Sequence, residues 1–357
     1  MPRNIFSPLA SKSTFSGAGL GLLVLCVLCA SVASFGQPAA PEPLAAGLAE
    51  ALAEARGLIN AGKAKAAVEK LGVLESSDPR VTHLLGVAYY HADDHAHAID
   101  TLTSIVDTLP EGSLERREAV QVLGLSHYLA GQLAQCIPFL ERTREWAAEN
   151  TELAYVLANA YIQTRRADEA RQSVARLFRV PEDSAAAHLL TAQMMVRLEF
   201  EDLADAELKK AIAKDARIPQ AHYLLGQAAI FRARLDEAVS LLERELEVNP
   251  GNAMALYRLG DAYTRQLKWD DAIKALQKSI WLNPNFSGPY ILLGKAYLKK
   301  GQPGTAEGML RRAIEYDPNN KSAHYLLAQL FQQTGRAEEA KREFEIAERL
   351  QAEPERR

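Results

Sequence analysis

The chain has 357 residues, 48% of them hydrophobic and 24% charged, with a formal net charge of −4. That balance supports a folded, core-forming protein and argues against general nucleic-acid binding, which needs a basic stripe to release counterions. Length alone suggests two or three globular domains, an expectation that a repeat in the chain overrides.

In chain order, Arg3 and Lys12 precede an apolar run, Leu20 to Ala30, and the mostly small residues Ser31 to Gly36 follow it. This three-part layout predicts a signal peptide over residues 1–36, cut after Ala33 or after Gly36. The alternative is an uncleaved signal anchor, because Gly17 to Phe35 is just long enough to cross a bilayer. With the positive residues ahead of the apolar run, both readings export the rest of the chain to the periplasm or another extracytoplasmic place, membrane-anchored only if the segment stays uncleaved. Cys26 and Cys29 lack the small preceding residue of a lipoprotein box. Residues 1–36 hold two positive and no negative charges, so the remainder carries about −6 and keeps one cysteine, Cys136, with no disulfide partner.

Residues 37–44 form a proline-rich linker. Residues 45–78 read as a degenerate helix pair with its turn near Gly62, a divergent repeat or N-terminal cap. Residues 79–112 form a clearer unit carrying Leu85, Gly86, Tyr89, Ala98, Leu102 and Pro110 in register, and four extra residues, Ser113 to Arg116, are expected to lengthen the turn after it. Seven contiguous 34-residue units then run through 117–354. Their eighth place holds Gly124, Ala158, Ala192, Gly226, Gly260, Gly294 and Ala328, and twelve residues later stand Cys136 and six alanines. A third column is large: Leu140, Val174, Leu208, Leu242, Leu276, Leu310 and Phe344. Small residues let two helices approach while large ones fill the space between them, so each unit predicts two packed antiparallel helices. Pro250, Pro284 and Pro318 end three units by stopping the second helix.

These residues resemble the tetratricopeptide repeat. Leu259, Gly260, Tyr263, Ala272 and Pro284 fit its pattern in one unit, as do Leu293, Gly294, Tyr297, Ala306, Ala313 and Pro318 in the next. The resemblance implies an all-α fold, a right-handed superhelical solenoid of antiparallel helix pairs with eight to nine repeats. The family's tryptophan is replaced by His188, His222, Leu256, Tyr290 and His324, and Glu245 stands where a small buried residue belongs. Looser packing is expected at those places. The charged last helix suits a terminal repeat whose outer face meets water.

In the family the first helix of each unit lines a concave groove. Here residues four apart share that face: Tyr155 with Asn159, Leu189 with Gln193, Tyr223 with Gln227, Tyr257 with Asp261, Ile291 with Lys295, and Tyr325 with Gln329. Tyrosine offers a rigid apolar surface with a polar tip and amides bond a peptide backbone, a combination suited to a protein segment. Arg258, Arg265, Lys295 and Lys299, broken only by Asp261, form a local basic patch able to receive a carboxylate or an acidic segment. The lysine and asparagine pattern of the family's carboxylate clamp is absent. So is the asparagine ladder, whose places hold Val156, Leu190, Leu224, Arg258, Leu292 and Leu326.

His91, His95 and His97, with Asp93 and Asp94, form a weak metal candidate on a polar turn, and a solvated turn is the preferred reading. The sequence holds no glycine-rich phosphate loop, HExxH or Gly-x-Ser-x-Gly. The expectation is therefore a scaffold or adaptor without enzymatic activity and without cofactors. It would bind protein through the groove, not nucleic acid, within cell-envelope assembly or secretion machinery. The alternatives are a glycan or peptidoglycan-strand binding module and an accessory subunit of an envelope enzyme complex.

Overall fold

The computed structural model describes residues 46–352 apart from Glu75, so the expected signal peptide or anchor and the expected linker lie outside the described residues. Two compact units divide at Glu182 and Asp183. The N-terminal unit contains α1 (Ala46–Asn60), α2 (Ala64–Gly72), α3 (Pro79–His91), α4 (His95–Thr103), α5 (Leu114–Leu129), α6 (Leu133–Arg142), a 3-10 turn (Thr143–Glu145), α7 (Thr151–Gln163) and α8 (Ala167–Phe178). The C-terminal unit contains α9 (Ala185–Arg197), α10 (Glu201–Lys214), α11 (Ala221–Phe231), α12 (Leu235–Val248), α13 (Ala253–Arg265), α14 (Trp269–Leu282), α15 (Ser287–Lys299), α16 (Pro303–Tyr316), α17 (Lys321–Gln333) and α18 (Ala337–Ala352). The described residues contain no strand, and none of their helices is long and apolar enough to cross a membrane.

Within each unit, odd and even helices pair, and each pair stacks on the next. First helices also touch first helices: α1 with α3 and α3 with α5 in one unit, and α11, α13, α15 and α17 in succession in the other. Each unit is therefore an all-α stack of helix pairs in which these first helices lie side by side.

The glycine column explains the close approach. A Cβ on Gly260 would lie 2.5 Å from Cγ of Leu276, and one on Gly294 would lie 2.6 Å from Cγ of Leu310, so a glycine of the first helix seats a leucine sixteen residues later. Those leucines, with Ala272 and Ala306, are fully buried, each leucine contributing roughly 1.5–3 kcal/mol by leaving water. Tyrosines three places beyond the glycine column tie successive pairs: Tyr263 Oη donates to Glu243 at 2.8 Å, Tyr161 donates to Glu141, and Gln277 Nε2 donates to Tyr297 Oη at 3.1 Å. Burial and the bond to Glu141 push the Tyr161 hydroxyl up to about 12.

Most first helices begin on a side-chain cap. Asp78, Ser113, Asn150, Ser184, Asn252 and Asn320 accept bonds from N–H groups of the following turn, while several second helices start with paired acids that complement the helix dipole. Each first helix from α3 onward closes on a left-handed residue at the fifteenth place: Asp93, Gly131, Arg165, Glu199, Ala233, Leu267, Gly301 and Gly335.

Two expectations are corrected. Ser113 to Arg116 do not simply lengthen a turn: Ser113 caps α5, its Oγ accepting from Arg116 N at 3.1 Å, and residues 114–116 add a turn of helix. Nor is packing loose at the departures from the repeat pattern. His188, His222, Leu256, Tyr290, His324 and Glu245 are all buried, although His222 Nδ1 is left without a hydrogen-bond partner among the described residues. His188 Nδ1 and His324 Nδ1 each lie 2.6 Å from a carboxylate nineteen residues later, Glu207 and Glu343. Tyr290 Oη donates to the Pro284 carbonyl at 3.0 Å.

Candidate functional site

On the first helices of the C-terminal unit, the fifth, ninth and thirteenth places of each repeat lie four residues apart and form three rows on one face. Leu189, Tyr223, Tyr257, Ile291 and Tyr325 make the first row, and Gln193, Gln227, Asp261, Lys295 and Gln329 the second. Arg197, Phe231, Arg265, Lys299 and Gln333, the last residues of their helices, make the third.

The rows are unevenly available. Tyr223 and Tyr257 are half-buried, packed against the core beneath them. Tyr257 meets Phe286 edge-on with ring centroids 4.9 Å apart, over Gly288, where a Cβ would strike both rings. Burial pushes its hydroxyl up, against the opposing pull of Arg258 and Arg265. Tyr325 is 49% exposed and touches Phe344. Gln193 Nε2 donates to Gln220 Oε1 at 2.8 Å, whereas the amides of Gln227 and Gln329 make no hydrogen bond among the described residues.

The basic patch is smaller than the sequence suggests. Arg265 Nε donates to Asp261 Oδ1 at 3.0 Å, and the Arg258 guanidinium lies over the Tyr257 ring, 5.2 Å from its centroid. Lys295 and Lys299 have no ion pair among the described residues.

In the N-terminal unit Tyr155 is half-buried, but Asn159 is 4% exposed, with Oδ1 lacking a hydrogen-bond partner beside Tyr128. Sequence reasoning missed a polar knot in this unit. Arg56 of α1 donates through both Nη atoms to Glu118 of α5 at 2.6 and 2.8 Å, and His83 Nε2 of α3 stands 3.1 Å away. Burial raises the Glu118 carboxyl, but bonds and charge from His83 and Arg56 carry it down to about 2. Residues spread over three repeats leave no local motif to find.

The histidine turn is occupied by its own contacts. His97 Nδ1 lies 2.7 Å from Asp94 Oδ2 while its ring stacks on Tyr89, and His91 and His95 flank Tyr90 from separate helices. No group of three or more His, Cys, Asp or Glu among the described residues is placed to hold a metal ion. Cys136 is buried, and burial pushes its thiol up to about 12.

Family models described as tetratricopeptide repeat match residues 127–194, 223–285 and 297–356. The chain belongs to the tetratricopeptide repeat family. Among curated proteins, this tetratricopeptide repeat chain is similar to the BBSome complex member BBS4 of Mus musculus, 33% identical over 113 residues. The match covers 30% of the chain and only 21% of that relative's length. Among solved structures it is similar to MamA from Desulfovibrio magneticus RS-1, at 22% identity and TM-score 0.44, over 47% of this chain and 96% of that one. It is also similar to YrrB, a TPR protein with an unusual peptide-binding site, at 21% identity and TM-score 0.44, over 52% and 94%.

Proposed function

We propose that this tetratricopeptide repeat chain is a non-enzymatic scaffold that holds a protein segment along the first-helix face of its C-terminal unit. The observation that carries the reading is the row pattern itself. Partly exposed Tyr223, Tyr257 and Tyr325 stand four residues before Gln227, Asp261 and Gln329, and the two amides make no hydrogen bond among the described residues. Rigid amphipathic rings beside free amides suit an extended backbone. The layout of residues 1–36 supports work outside the cytoplasm, in envelope assembly or secretion.

Affinity capture from a native envelope extract, with the chain and its Tyr223→Ala/Tyr257→Ala variant as parallel baits, tests the reading. A protein retained by the parent and lost from the variant is expected. Equal retention by both moves the site off this face.

A further inference from the structure

We infer that the segment held by this face is acidic along one edge and apolar along the other. The inference rests on the groove reading above and adds the chemistry of the occupant. The three rows are graded across the width of the face. Toward the start of each first helix lie Tyr223, Tyr257, Ile291 and Tyr325, with no charge among them. At the other end lie the cations Arg197, Arg265 and Lys299, with Lys295 just inside.

Within the three rows one anion, Asp261, opposes them, and Arg265 already uses it; Glu199, at the place of Leu267 in its own repeat, stands two residues after Arg197. Arg197, Lys295 and Lys299 have no ion pair among the described residues, in a chain whose net charge is −4. Local positive charge on this face attracts an acidic segment and steers its approach. Along the cationic edge Phe231 is 69% and Leu267 66% exposed, so apolar contact is available between the charges. A segment crossing α11 to α17 spans three helix spacings of about 9 Å, the reach of roughly eight extended residues. Extended side chains alternate sides, so acidic and apolar residues in alternation place carboxylates by Lys295 and Lys299 and apolar groups by the tyrosines.

Selection of a random peptide library of about ten residues on the full chain tests this. The expected pool is acidic with apolar residues in alternation, weakens as salt rises, and loses about tenfold or more in affinity on Lys295→Glu/Lys299→Glu. Lys295→Gln/Lys299→Gln and the melting curves of both variants separate lost charge from lost folding. A neutral or basic pool that Tyr223→Ala/Tyr257→Ala still releases overturns the acidic assignment and leaves the groove in place. A pool indifferent to both sets of substitutions, or no pool, overturns both readings. Binding to phosphatidylserine vesicles that Phe231→Ser/Leu267→Ser abolishes, without an acidic pool, assigns the edge to a membrane and also overturns the inference.

Discussion

At the scale of single residues, Glu245, Gly260 and Glu118 decide the most. Glu245 has no exposed surface, and its carboxylate accepts from the backbone N–H groups of Gln220 at 2.9 and 3.0 Å and of Tyr223 at 3.3 Å. Asn252 Nδ2 donates to it at 3.1 Å. Helix α11 has no cap of its own, since Gln220 is left-handed, and the carboxylate of α12 supplies the negative charge its N-terminus needs. Glu245→Ala is expected to cost about 1–3 kcal/mol in denaturant titration, because buried N–H groups lose their acceptor. Gly260→Leu is expected to cost a similar ~1–3 kcal/mol by driving a side chain into Leu276; an unchanged melting curve would place the helix contact elsewhere. Glu118 makes acid sensitivity local. Its folded pKa, about 2, lies below the ordinary value of about 4.3, so its contribution is present above pH ~4.3 and lost as pH falls through about 2. Glu118→Gln should therefore destabilise at neutral pH by ~1.5–3 kcal/mol, with the gap to the parent closing in acid.

At the scale of elements, the turn after each first helix is a test of what ends it. Glycine closes that turn in Gly131, Gly301 and Gly335, but Ala233 and Leu267 hold φ of 57° and 62° there, where a side chain costs about 1 kcal/mol. Ala233→Gly is expected to raise stability by up to ~0.5–1 kcal/mol, after the added freedom of the unfolded chain is counted. A fall in the denaturation midpoint would mean that the alanine methyl is needed. Glycine recurs at this place in only three repeats, among larger residues, so the column is not legible in the amino-acid sequence. The helix pairs are legible because they rest on periodic size: Gly260 with Leu276 recurs in sequence and in space. The Glu245 cap is not, since its meaning depends on an unrelated left-handed Gln220 twenty-five residues earlier. Similarly, Arg258 and Arg265 read as free charge in sequence, while Tyr257 and Asp261 take them up in space.

At the scale of the whole molecule, stability in a stacked array is a sum of repeat and nearest-neighbour terms. Damage should therefore stay near its origin. Gly260→Leu is expected to speed amide exchange in α13 to α16 and leave protection in α3 and α4 unchanged. Uniform loss of protection would instead show the chain unfolding as one body.

The tyrosine ties carry a further consequence for how such a chain changes over generations. Tyr263 meets Glu243 and Tyr297 meets Gln277, each across one seam and each twenty residues back. Removal of residues 253–286 as a block would bring Tyr297 to Glu243 and Leu310 beneath Gly294 as before, with the acceptor still in place. Loss of this 34-residue stretch thus mends its own junction, whereas a cut of another length here sets the tyrosine against the wrong side of its neighbour. At these two seams the bonds that hold the pairs together would let heredity shorten the array by a whole step.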